Sequence, residues 1–457
     1  MTYSSLLFIY GFLPLSLLVY RIAPASLKHL SLFVLSCVFC TLNSLRFMYF
    51  MLVYTVVNYF AGLFIGKFRK RKSLSAIPLS LGVSFDLLIF FMFRTDCLDV
   101  LREKSGIPEE FFPLGISFAT LTAVGYLIDI FRKRMKPEFN FIKFALYMMF
   151  FPKLFIIVRY KTFYRMLGNK KVTLADIGDG FRIFVRGLAK KVIAGDTMYM
   201  LYMAVRSIDI WKMSAVNGWI GMTAYLLCVY FVLSGIADMG MGIGYCFGFR
   251  LPQSFNYPVF RTKIRDFALN WHVQIIYWFR RYFSKPLYEA GKNRLYKNIV
   301  FITAWCLAGL WYRFDPNGFM WGFLIGLTVV LEKYLRRFRF LKVTGIIYTY
   351  VITIICMVFL SGEDITQSVN YLLVMLGGNS IFADSVTLYL LKYYIIMLLI
   401  CMYFSTSLFR NLLMRPQKNC LKNIISAISP VITVILLVIC TILISYTGSS
   451  ETFILKL

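Results

Sequence analysis

Apolar residues run along this chain in long blocks, near 3–20, 29–42, 47–66, 75–93, 111–131, 141–158, 216–247, 298–312, 317–335, 343–360, 384–409 and 425–447. Short polar stretches separate them. Crossing the hydrocarbon core takes roughly 20 residues of helix. In lipid every backbone polar group needs an internal partner, so the blocks predict helices. The short alternating segments of a β-barrel are not what the blocks show. The pattern predicts an all-α, polytopic integral membrane protein, with about 11 transmembrane helices plus interfacial or re-entrant ones. A single integral membrane domain covers 1–457, with N-terminal helices over 1–110, a core over 111–335 and C-terminal helices over 336–457.

Composition agrees. Of 457 residues, 59% are hydrophobic and 16% charged, against about a quarter charged in soluble domains. The net charge of +29 suggests nucleic acid in a soluble protein. Here the cations sit in short runs between apolar blocks, as in cytoplasmic loops that face anionic lipid. Membrane lipid is therefore the expected partner, and nucleic acid is not. Placing 67–72, 132–136 and 333–342 inside puts the acidic 96–110 and 362–367 outside, together with both termini. The first apolar block has no basic region before it, so it reads as a membrane helix and not a removed signal peptide. Ten cysteines are scattered through apolar stretches and read as buried small hydrophobes. Cys37 and Cys40 have C-x-x-C spacing but no second ligand pair, so no metal site is expected.

Between 159 and 297 the pattern changes. The stretch 178–196 carries cations at 182, 186, 190 and 191, and 260–287 mixes aromatic residues with six Lys/Arg. Amphipathic helices in the membrane interface are the plain reading. Lining a wet, protein-enclosed cavity is the functional one, and it requires His272, Trp278 and Arg280 to be enclosed.

Five motifs occur in order through the core. "FFPLGISFATLTAVGYLIDIFR" (111–132) resembles the Pro-Leu-Gly-Ile-Ser-Phe opening of membrane-bound O-acyltransferases, in the bacterial branch that acetylates alginate or D-alanylates teichoic acid. "GLAKKVIAGD" (187–196), "SGIADMGMGIGYCFGFRLPQSFNYP" (234–258), "NWHVQIIYWFRRYFSKPL" (270–287) and "AGLWYRFDPNGFMWGFLIG" (308–326) are similar to the segments that follow in that branch. The resemblance implies an acyl thioester donor (acetyl-CoA or an acyl carrier protein) entering from the cytoplasm, with no bound cofactor. It also implies a polysaccharide acceptor on the opposite side, a bacterial plasma (inner) membrane location, and a secreted or membrane-anchored acyltransferase partner. The two substrates meet at a buried histidine, which takes the hydroxyl proton as the oxygen attacks the thioester.

The chain departs from that pattern at the site itself. The position of the family's principal histidine is Tyr312, followed by Arg313 where the family has glycine. A phenol with pKa near 10 is a poor base at neutral pH. His272 matches the family's second histidine and is the remaining candidate base, with Tyr312 as a hydrogen-bond donor. His29, in a basic connection, reads as interfacial. The family's Ala-Gly-Pro turn is missing from "FPKLFIIVRY" (151–160). Further cavity or substrate candidates are Asp238, Asn256, Trp271, Trp278, Arg280, Trp311 and Arg313. Gly240, Gly242 and Gly244 read as close helix packing, not a dinucleotide loop. Two functions stay open. One is an O-acyltransferase moving an acyl group, acetyl by preference, to an envelope or extracellular polysaccharide. The other is an inactive relative that binds lipid or glycan, assists transport or scaffolds a partner.

Overall fold

The computed structural model describes residues 2–95, 115–168, 172–291, 293–335, 344–408 and 419–447, with backbone alone for 419–426 and 447. Every regular element among them is helical. The proposed outward loop 96–110 and most of 333–342 lie outside the described residues.

In chain order the helices are α1 (Leu13–Ile22), α2 (Lys28–Asn43), α3 (Leu45–Lys67), α4 (Lys72–Arg94), α5 (Ile116–Phe131), α6 (Phe141–Met149), α7 (Tyr160–Met166), α8 (Leu174–Ala189), α9 (Asp196–Arg206) and α10 (Ala215–Cys246). They continue as α11 (Ile264–Asn270), α12 (Val273–Phe279), α13 (Lys285–Ala290), α14 (Arg294–Tyr312), α15 (Pro316–Leu335), α16 (Gly345–Ser361), α17 (Ile365–Met375), α18 (Ser385–Phe404) and α19 (Asn419–Thr447). Short π-helical segments join several of these at 7–12, 190–195 and 280–284.

Among the described residues, seven helices are long and apolar enough to cross a membrane: Ala25–Asn43, α3, α4, α10, α15, α18 and Ala427–Tyr446. Leu7–Ile22, α5 and α16 are shorter apolar helices. Their outer faces are apolar, with Leu388 and Ile396 on α18 and Val431 on α19 all exposed. In lipid those faces meet a solvent as apolar as themselves.

The block 141–158 is not one continuous helix. It gives the nine-residue α6 and then a 3₁₀ turn over Phe151–Lys153 with Pro152 inside it. Proline lacks the N–H that would extend the helix. The block is apolar because it is packed in protein: Phe144, Phe150 and Phe151 are fully buried.

The chain forms two compact units. The first contains Met1–Val185, Ile236–Gln253 and Ile444–Lys456; the second contains Arg186–Gly235 and Ser254–Leu443. In the first unit, a Cβ on Gly242 would stand 2.5 Å from the Gly180 carbonyl and the Phe184 nitrogen, and one on Gly240 would stand 2.6 Å from the Pro152 carbonyl. Those glycines pack backbone on backbone, as the sequence implied. In the second unit, Gly309 meets Gly318, and Gly322 meets the Trp305 carbonyl, so α14 and α15 approach at backbone distance. That contact fixes the end of α14, where Tyr312 stands.

Candidate active site

The site lies in the second unit, where the α11–α12 junction meets the end of α14. His272 sits at that junction with φ 44° and ψ 58°, the left-handed region. Such a conformation costs a non-glycine residue roughly 1–2 kcal/mol and persists only where neighbours impose it. Here the loop before α11 imposes it. Val273 N donates to the Ser254 carbonyl at 2.7 Å, and Asn256 N donates to the Asn270 carbonyl at 3.1 Å. Asn256 Nδ2 also donates to Asn270 Oδ1 at 2.9 Å. The loop holds a second left-handed residue, Tyr257 (φ 48°). Arg261 ties it down, donating from Nε to the Tyr257 carbonyl at 2.8 Å and from Nη2 to the Asn256 carbonyl at 2.6 Å.

The imidazole that this backbone presents is 2% exposed. Its Nδ1 lies 3.0 Å from the Tyr312 hydroxyl, itself 3% exposed. Phe255 stacks on the imidazole at 4.9 Å and 14°. Trp311 lies 6.0 Å from the same ring, and Trp321 packs on Tyr312 at 5.2 Å. Trp271 is fully buried and meets Phe255 edge-on at 5.5 Å. Its indole N–H neighbours the Tyr312 hydroxyl without reaching hydrogen-bond geometry. Burial in this aromatic box disfavours imidazolium and pushes the His272 pKa down to about 3. The ring is neutral at physiological pH. When the Tyr312 oxygen accepts from Nδ1–H, Nε2 carries the basic lone pair.

The structure brings together His272, Tyr312, Trp271 and Trp311, with Asn256 holding the loop beneath them. Arg313 goes elsewhere. It leaves α14 in an extended conformation, and its Nη1 donates to the carbonyls of Leu360 (3.2 Å) and Gly362. Nη2 donates to the Glu363 carbonyl at 3.1 Å, and Nε pairs with Asp315 at 2.5 Å. Arg313 therefore closes the C-terminal end of α16, whose last carbonyls have no partner within the helix. Arg280 is exposed and Trp278 half-buried against Phe279 and Tyr282, so the enclosure expected of 260–287 holds for His272 and fails for Arg280. Asp238 is 5% exposed and belongs to the other compact unit. His29 pairs with the Leu167 carbonyl at 3.0 Å.

Sequence reasoning did not single out Phe255 or Arg261. Both lie in or beside "LPQSFNYP", whose two prolines and Ser-Phe-Asn run marked a loop but not what it held.

The chain is 30% identical over 354 residues to a protein named probable alginate O-acetylase from Azotobacter vinelandii, covering 74% of this chain and 69% of that one. It belongs to the membrane-bound O-acyltransferase family. A peptidoglycan O-acetyltransferase of Helicobacter pylori is 26% identical over 429 residues, covering 83% and 80% of the two chains. A teichoic acid D-alanyltransferase of Bacillus subtilis is 24% identical over 247 residues, covering 50% and 62%. No family model matches the chain. The family assignment rests on these relatives, which are named for acyl transfer to alginate, peptidoglycan or teichoic acid.

Proposed function

We propose that this chain is an O-acyltransferase that acylates, by preference acetylates, a polysaccharide of the cell envelope, with His272 as general base and Tyr312 as its positioning residue. The observation that carries the reading is the buried 3.0 Å contact between His272 Nδ1 and the Tyr312 hydroxyl. The phenol is too weak a base to replace the family's histidine, but its oxygen can hold the remaining imidazole in the tautomer with Nε2 free of hydrogen. Nε2 takes the proton of the acceptor hydroxyl as its oxygen attacks the thioester carbonyl. The resulting imidazolium gives that proton to the departing thiolate, so the products are an ester and a free thiol. The apolar box keeps water from the thioester.

The donor in this reading is acetyl-CoA or an acylated carrier protein on the cytoplasmic side of a bacterial plasma membrane. The termini lie on the opposite side, and a secreted or anchored acyltransferase completes the modification.

The test is transfer of a labelled acetyl group to cell-surface polysaccharide in cells expressing wild type, His272→Ala or Tyr312→Phe. Loss of the base predicts a fall of about a hundred- to ten-thousand-fold for His272→Ala. Wild-type transfer that survives His272→Ala rejects His272 as the base. Expression in a strain with its native envelope machinery, yet with no transfer by the wild type, favours the inactive relative.

A further inference from the structure

In the first unit, α3, α4 and α5 pack on one another and bury a carboxyl group that the proposed acyl transfer does not use. Asp86, on α4, has no exposed surface. Asn58 of α3 donates from Nδ2 to Asp86 Oδ1 at 2.9 Å and to the Tyr54 carbonyl at 3.1 Å. Three oxygens then remain buried without a hydrogen-bond partner: Asp86 Oδ2, Asn58 Oδ1 and the Tyr54 hydroxyl. The hydroxyl lies among the side chains of Asp86, Asn58 and Thr120. Thr120 has no hydrogen to give to Asp86 Oδ2 or Asn58 Oδ1, because its Oγ1 donates to the Ile116 carbonyl at 3.0 Å.

Depth makes this unusual. α3 and α4 are 23-residue spans, and Asn58 and Asp86 lie within about 5 Å of their midpoints by helix rise. Charged groups on the neighbouring helices stand toward the ends: Arg46 and Lys67 on α3, Lys72 and Arg94 on α4, Asp129 on α5, with Lys28 and His29 on α2 and Lys143 on α6. The nearest along α4, Arg94, is roughly 12 Å of rise from Asp86. Among the described residues no cation pairs with Asp86. An ionised carboxylate left there costs several kcal/mol.

One proton resolves all three vacant partnerships. Placed on Asp86 Oδ2, it donates to the Tyr54 oxygen; the Tyr54 O–H then donates to Asn58 Oδ1; the Asn58 amide already donates to Asp86 Oδ1. The hydrogen bonds close into a ring that links α3 and α4. We propose that Asp86 is a proton-binding site near the bilayer centre, held as the neutral carboxylic acid by Tyr54 and Asn58. The inference is independent of the acyl-transfer reading.

Infrared spectra of the purified full-length protein at neutral pH, wild type minus Asp86→Asn, test it. The expected difference is the carbonyl stretch of a protonated carboxylic acid, present in wild type and absent from the variant, with the ionised carboxylate bands unchanged. Asp86→Asn, which keeps both the shape and a donor, should melt close to wild type. Wild type labelled with ¹³C-aspartate gives the same readout without a variant: one aspartic carbonyl band should remain in the protonated region at neutral pH. Loss of a carboxylate band in the difference spectrum, or no protonated aspartic band in the labelled wild type, overturns the proposal. So does a rise in wild-type melting temperature in sodium over choline that Asp86→Asn abolishes, since the ligand is then a metal cation.

Discussion

Arg313 donates to the carbonyl of Leu360 across 47 residues of chain, and it also donates to Gly362 and Glu363 beyond it. Arg313, the neighbour of Tyr312, is therefore a clamp on the end of α16, paired with Asp315. Arg313→Gly, which in sequence terms would clear space beside Tyr312, should instead release that helix end. Hydrogen bonds from a charged donor contribute on the order of 2 kcal/mol. The expected outcome is a melting temperature several degrees lower in detergent, with the double variant Tyr312→His/Arg313→Gly no more stable than Arg313→Gly alone.

Tyr312→Phe keeps the ring that packs on Trp311 and Trp321 and removes the oxygen that faces His272. A misoriented or wrong-tautomer base slows the chemical step more than it weakens substrate binding. The expected fall in kcat is about ten- to a hundredfold, with KM nearly unchanged. A matched rise in KM at constant kcat would identify Tyr312 as a substrate contact instead.

Burial lowers the His272 pKa from the usual 6.5 to about 3. Between pH 5 and 8 the imidazole stays neutral, so acyl transfer should show no acid limb centred near 6.5. Stability has a definite sign as well. Between about 3 and 6.5 the unfolded chain binds the proton and the folded chain does not, so stability from this group is complete above 6.5 and declines as pH falls through that window. Melting curves from pH 7 to 4 should fall more steeply for wild type than for His272→Gln.

Gly322→Ala should disturb the seat of Tyr312. A Cβ there overlaps the Trp305 carbonyl on the facing helix, and overpacking of this kind costs about 1–3 kcal/mol. Reduced thermal stability together with reduced transfer is the expected pair of results. Gly377→Ala controls for specificity, because nothing lies within 4 Å of a Cβ at Gly377 and its φ of 88° confines the penalty to backbone strain.

The spanning helices were legible because each needed only an apolar run of sufficient length, as α3 and α4 show. The 141–158 block misled for the same reason: an apolar run packed inside protein has the composition of one facing lipid, and only Pro152 hinted at the break. At the candidate site, His272 and Tyr312 could be singled out by residue type and motif order. Their contact could not, because it depends on a left-handed backbone at 272 set by one hydrogen bond to the Ser254 carbonyl and others from Asn256. The place of Arg313 was equally hidden, since its partners belong to a helix end nearly fifty residues away.

The left-handed backbone at His272 has a practical consequence. Glycine is the residue that adopts φ 44° without penalty, so His272→Gly relieves the junction while leaving an imidazole-sized hollow between Phe255 and Tyr312. The relieved backbone offsets part of the cavity's cost, and a chain so altered should accept a small heterocycle from solution. Free imidazole or a methylimidazole, titrated into the variant, becomes a detachable base whose pKa and size can be varied by the experimenter. The slope of the restored rate against that pKa then reports how far the proton has moved at the transition state.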